Sequence, residues 1–120
     1  DLPGVYRIYY NRGMSLIDVD RYQEGLADLQ RALTLEPRSF VNHGGVAVGY
    51  LKLERYPEAI VQFSRAIEME PGYVNAYHGR GLANIGLGDK AAALADFEKS
   101  CKLGWKSGCA KARNLKVADS

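Results

Sequence analysis

Residues 34 positions apart in this chain resemble one another, and that period restricts the fold more than any composition does. Glu36-Pro37 returns as Glu70-Pro71, and Tyr22 returns as Tyr56. Leu29, Phe63 and Phe97 form one further series, and Ala32, Ala66 and Ser100 another. Two more series hold only small side chains: Gly13, Ala47 and Gly81, then Gly25, Ala59 and Ala93. A repeat of this length is one supersecondary unit that cannot bury its apolar faces alone, so its copies must stack. The Glu-Pro pairs frame three units at 6–39, 40–73 and 74–107, with a short lead before them and a tail after.

Each unit reads as two helices. Tyr22, Gly25, Leu26, Leu29, Ala32 and Leu33 fall on one face of an α-helix. Tyr56, Ala59, Ile60, Phe63, Ala66 and Ile67 repeat that face. Ala93, Leu94, Phe97, Ser100 and Cys101 repeat it again, with Lys90 in place of the leading tyrosine. Pro37 and Pro71 stop two of these helices, because proline lacks the N–H and clashes with the preceding turn. Pro57 sits just inside a helix start, where no N–H is needed. The connectors around Asp20, Glu54 and Gly88 are too short for anything but antiparallel neighbours. No stretch alternates with period two for long enough to make a strand.

Composition narrows the function. Sixteen basic residues against fourteen acidic leave +2, too even for an obvious nucleic-acid binder. No apolar run approaches the roughly 20 residues of a membrane span, so no membrane insertion is expected. The chain opens on Asp1 rather than Met, and the expectation is a processed piece or a part of something longer. Six basic residues lie from Lys99 to Lys116 with no acidic one among them, which reads as a solvated face or as a patch for acidic partners.

Period and pattern together resemble the tetratricopeptide repeat (TPR), W-x2-L-G-x2-Y, then A-x3-F, then P. Unit one offers Tyr9, Arg12, Gly13 and Leu16, then Gly25, Leu29, Ala32 and Pro37. Unit two offers His43, Val46, Ala47 and Tyr50, then Ala59, Phe63, Ala66 and Pro71. Unit three offers Tyr77, Arg80, Gly81 and Asn84, then Ala93, Phe97 and Ser100, and departs where Trp105 replaces the proline. The resemblance implies an all-α, right-handed α/α solenoid of three helix hairpins. A capping helix over 108–117 is expected to close it, with Ser107 as N-cap.

Little in the chain can do chemistry. Two histidines without a thiol or carboxylate set do not make a zinc site, and no metal or other cofactor is expected. No G-x-S-x-G elbow is present. Gly79, Gly81, Gly86 and Gly88 miss the dinucleotide spacing and follow no strand. The chain therefore reads as a non-enzyme. Cys101 and Cys109 end one helix and begin the next, where they can either bridge or fill apolar slots as free thiols. Their spacing is similar to the Cys-x7-Cys pairs of the Sel-like cysteine-rich α/α repeats, which bridge neighbouring helices. A bridge would argue for an oxidising, periplasmic or secreted setting, and free thiols for the cytoplasm.

In the resembled family the first helix of each repeat lines a concave groove that holds peptides or partner helices. This puts Arg7, Tyr10, Met14 and Ile17 on the groove, then Val41, Gly44, Val48 and Leu51, then Asn75, His78, Leu82 and Ile85. Ile17, Leu51 and Ile85 fit better as packing between first helices. Family members that clamp a C-terminal carboxylate use cations or asparagine at slots held here by Tyr10, Met14, Gly45, Asn75 and Gly79, so no clamp is expected. Gly44 and Gly45 would leave an open, apolar trough in the middle. The expected role is a protein–protein interaction scaffold for a protein or peptide partner. The alternatives are a self-assembling module that stacks through the apolar residues Val5, Tyr6, Ile8, Tyr9 and Tyr10, or an accessory domain of a larger protein. The crossing pattern predicts that Ala59→Leu overpacks a hairpin by roughly 1–3 kcal/mol. Phe63→Ala should cost about 3–5 kcal/mol. Urea unfolding monitored by far-UV circular dichroism checks both.

Overall fold

A computed structural model describes residues 2–118, with side chains through Val117. Seven α-helices follow one another: α1 (Val5–Asp18), α2 (Tyr22–Leu35), α3 (Phe40–Lys52), α4 (Tyr56–Met69), α5 (Val74–Leu87), α6 (Lys90–Lys102) and α7 (Lys106–Ala118). Among the described residues there is no strand. Consecutive helices pack as hairpins and the hairpins stack into a rod of 54 × 26 × 21 Å. The helices α1, α3 and α5 also touch one another directly, whereas no comparable contact joins α2 to α4 or α4 to α6. The odd-numbered helices therefore form the tight inner layer and the even-numbered ones the wider outer layer. A solenoid built this way is concave on its odd-helix side.

Small residues let the helices approach. A β-carbon added to Gly13 would lie 2.9 Å from the Gly25 carbonyl, and one added to Gly25 would lie 2.8 Å from the Gly13 carbonyl. Between hairpins the same device recurs. Gly49 receives Leu26, Gly79 receives the Phe63 ring, and Gly81 receives the Phe97 ring within its own hairpin. Three apolar clusters result, one centred on Leu29 and Val46, one on Phe63, and one on Phe97 with Ala112. Leu29, Phe63 and Phe97 are each at most 1% exposed, as expected for one residue serving the same purpose in three units.

Polar ties hold the hairpins in register. Arg12 grips Asp28 through two nitrogens at 2.6 and 2.9 Å, and Arg80 grips Asp96 at 3.0 and 2.8 Å. Both carboxylates are buried, and the fork geometry satisfies them. The Arg12 hydrogen bonds hold the Asp28 carboxyl below the usual carboxylate range, against the opposing effect of its burial. The middle unit lacks this pair. There His43 sits with its Nδ1 2.8 Å from the Gln62 amide and its Nε2 2.9 Å from the Pro37 carbonyl. Tyr77 makes the matching bond to Pro71, its hydroxyl donating at 3.0 Å.

The turn within each hairpin carries a left-handed residue in the same place: Asp20 (φ 64°), Glu54 (φ 59°) and Gly88 (φ 81°). The junction of α6 and α7 copies that tight turn with Gly104 (φ 103°) and does not copy the proline-bearing connector between units. Trp105 N–H donates to the Ser100 carbonyl just as Arg55 N–H donates to that of Tyr50. This corrects the expected cap. The last helix starts at Lys106 rather than 108, and Ser107 lies inside its first turn instead of capping it. The tight turn brings the chain back sooner than a proline connector would. Gly79→Ala places a methyl group inside the Phe63 ring, so thermal unfolding should show a loss of roughly 1–3 kcal/mol, with helix content unchanged below the transition.

Candidate functional site

The odd-helix wall is where the candidate residues meet. Met14, Val48 and Leu82 stand at the same place in α1, α3 and α5, and all three are half-buried. Met14 and Val48 pack together with the Leu29 cluster, and Leu82 packs on the Phe97 cluster. Val41 is half-buried, while Arg7 and Asn75 are exposed. Of the three residues expected as inter-helix packing, Ile17 is buried and Leu51 half-buried, but Ile85 is 42% exposed. Ile85 instead lines a cleft of about 260 Å³ with Leu82, Phe97, Lys111, Asn114 and Leu115.

The expected open trough at Gly44 and Gly45 is absent. A β-carbon on Gly44 would fall 3.0 Å from the Tyr73 ring, and one on Gly45 would fall 2.9 Å from the Tyr10 ring and 2.9 Å from Leu29. Aromatic rings occupy the space that the glycines vacate. Tyr73 is the residue just before α5, and its ring also meets Phe40 edge-on at 5.0 Å. Burial pushes the Tyr73 hydroxyl up, the nearby Tyr10 adds to it, and a hydrogen bond with the Asn75 side chain acts the other way. Burial likewise raises Tyr10. Tyr10, Tyr73 and Asn75 are thus one cluster on the floor of the wall. The sequence reading missed Tyr73, because nothing in a single sequence says which neighbour fills a glycine.

His78 is covered by the same device. Trp105, the residue just before α7, stacks on the His78 ring at 4.3 Å and 15°, and Phe97 tilts against it at 5.4 Å. The ring is 8% exposed, so His78 is a buried element of the wall rather than a contact on its surface. Its Nδ1 has no hydrogen-bond partner among the described residues. Burial first, and then the positive charge of Lys111, hold His78 below the usual histidine range. Lys111 thus adds a cation at the α7 end of the wall, as Arg7 does at the α1 end. The apolar start of the chain is largely used up internally: Val5, Tyr6, Tyr9 and Tyr10 are half-buried, leaving Ile8 and Leu2 exposed.

Among the described residues no three of His, Cys, Asp or Glu converge. Among them, too, no helix is long and apolar enough to cross a membrane. A surface cleft of about 540 Å³ runs along the outer crease of α1 and α2 beside Tyr9 and Arg31, and no carboxylate, histidine or cysteine among the described residues lines it. Cys101 and Cys109 are joined by a disulfide that ties α6 to α7 across a Cα separation of 4.7 Å.

Comparison with known proteins places these features. Residues 6–39 and 74–103 match the Tetratricopeptide repeat pattern, and residues 50–88 match a further TPR repeat pattern. The Hsp70-Hsp90 organizing protein of Triticum aestivum is 28% identical over 97% of this chain, which spans 15% of that protein's length. The second TPR domain of human RPAP3, solved with the HSP70 peptide SGPTIEEVD, superposes with a TM-score of 0.85 at 25% identity, covering 96% of this chain and 98% of that one. The type III secretion chaperone SycD of Yersinia enterocolitica, solved with a peptide of the translocator YopD, superposes at 0.89 with 12% identity, over 99% and 98% of the two chains.

The depressed His78 value fixes the sign of a pH effect. The unfolded chain binds a proton near pH 6.5 while the folded chain resists it, so stability falls as pH drops through that value and levels off below the folded one. His78→Phe keeps a ring in the stack and should flatten that limb in denaturant titrations run across the range.

Proposed function

Because the chain belongs to the tetratricopeptide repeat family, we propose that it is a non-catalytic scaffold holding a peptide or partner helix along the wall of α1, α3 and α5. The observation that carries this reading is the wall itself. Met14, Val48 and Leu82 recur in register on three neighbouring helices, each with apolar surface left uncovered. Tyr10, Val41 and Asn75 flank them, and Arg7 stands at the outer end. Such a row suits an extended or helical segment read at intervals of one turn. His78 and Gly44 act beneath it, by seating Trp105 and Tyr73. The second TPR domain of human RPAP3, solved with an HSP70 peptide, supports a peptide-binding role for this fold.

The reading includes no carboxylate clamp. The slots that would carry one hold Tyr10, Met14, Gly45, Asn75 and Gly79, and none bears a charge. Two of them have no room for one, since Gly45 is filled by Tyr10 and Leu29 and Gly79 by Phe63. Recognition then rests on apolar side chains of the ligand and on its backbone rather than on its terminus.

Peptides selected on the native protein from a random library test both parts. Binding should be lost in Val48→Glu with Leu82→Glu, while far-UV helicity survives, and should persist when the peptide C-terminus is amidated. Capture that survives the double variant moves the site elsewhere. Capture that disappears on amidation restores a clamp.

A further inference from the structure

The disulfide lies in a cleft of its own. Between α6 and α7, about 360 Å³ of surface cavity is lined by Cys101, Cys109 and Ala112, with Lys102, Arg113 and Lys116 among the residues around them. Both cysteines are partly exposed there. Among the described residues lining this cleft the one carboxylate, Glu98, is held by Lys116 at 3.3 Å. The sulfurs thus sit in an apolar hollow under an excess of positive charge. We propose that this cleft is a thiol–disulfide exchange site for a small anionic thiol, and that reduction there unlatches α7 from the solenoid.

Charge favours each stage. Cations around a cleft concentrate an anionic reactant. They also stabilise the cysteine thiolate that departs, which speeds exchange. The incoming thiolate attacks one cysteine sulfur, the Cys101–Cys109 bond breaks, and a mixed disulfide forms while the other cysteine leaves as thiolate. A second molecule of the same thiol attacks the mixed disulfide and releases the remaining cysteine. Two electrons pass from the two small thiols to the protein pair. The small molecule ends as its own disulfide, and the protons it gives up return to the two cysteines.

Besides the disulfide, α7 is joined to α6 by the exposed Lys116–Glu98 ion pair, by the close approach of Gly108 to Ser100 and by a small apolar contact, and the mechanical consequence follows from how weakly such contacts hold a short helix. The helix has 13 residues, four of them basic, and a segment this short is not stably helical in water by itself. Its buried apolar anchor is Ala112, with half-buried Leu115 beside it, against Ala93 and Phe97. Trp105 contributes the stack on His78, and Lys111 projects toward the same ring. Losing the covalent tie therefore frees the end of the odd-helix wall. This latch is independent of whether a peptide occupies α1, α3 and α5.

The test uses the native protein and three thiols matched for thiolate concentration: 2-mercaptoethanesulfonate (anionic), 2-mercaptoethanol (neutral) and cysteamine (cationic). Alkylation and mass spectrometry follow the reduction. At low ionic strength the anionic thiol should act roughly tenfold faster than the cationic one. The gap should shrink in high salt and in Lys102→Gln with Arg113→Gln. Emission from Trp105, the single tryptophan, should change with reduction, and α7 amides should lose hydrogen-exchange protection while α3 to α5 keep theirs. Cys101→Ser with Cys109→Ser should show the same local loss without reductant; if that variant unfolds globally, the reduced native chain carries the readout. Equal rates for the three thiols overturn the exchange site. A reduced chain whose α7 stays protected overturns the latch.

Discussion

Close approach of helices over glycine and alanine is the constraint on which this molecule depends. Each hairpin closes because Gly13 meets Gly25 or because Ala47, Gly81 and their partners are similarly small. Each stack closes because Leu26 and Phe63 enter the gaps left at Gly49 and Gly79. Helical glycine costs conformational entropy, about 0.5–1 kcal/mol relative to alanine. The offsetting gain is dispersion and burial across interfaces that a single extra carbon would hold apart. Phe63 and Phe97 fill the interfaces so formed, and the Arg12–Asp28 and Arg80–Asp96 forks, with their buried carboxylates, fix the hairpins against sliding. The odd-helix wall inherits its shape from these crossings.

The same rule explains the wall's surface. Where Gly44 leaves space on the wall, a ring from the following connector covers it. Tyr73 lies over Gly44, and Trp105, one step further along, lies over His78. The middle and far end of the wall are therefore aromatic and firm rather than hollow. Tyr10 completes the row from α1, resting against Gly45.

Much of this could be read in the residues. Helices and turns follow from the 34-residue period, because the same small and large apolar positions return three times and the proline twice. The burial of Leu29, Phe63 and Phe97 follows from their shared register. What could not be read concerns contacts between units. Gly44 announces that something comes close but not that Tyr73 does. His78 sits on the groove side by its spacing, yet its burial depends on Trp105, which belongs to another element. The start of α7 was misplaced for a related reason: Gly104 sets a tight turn whose geometry is visible only once the backbone is traced. The disulfide stayed open in the sequence because eight residues of separation suit either a bridge or two packed thiols.

The turn at Gly104 has a consequence for the geometry of the array. By repeating the intra-hairpin turn, the chain makes α6 the partner of α7 as well as of α5, and α7 begins two residues before a 34-residue period would start it. The helical phase of the last element is therefore displaced from that of α1, α3 and α5. A repeat unit fused after α7 in the standard frame would present its apolar face rotated by about 200°, at 100° per residue, away from the stack. The screw symmetry of the solenoid is broken at this junction.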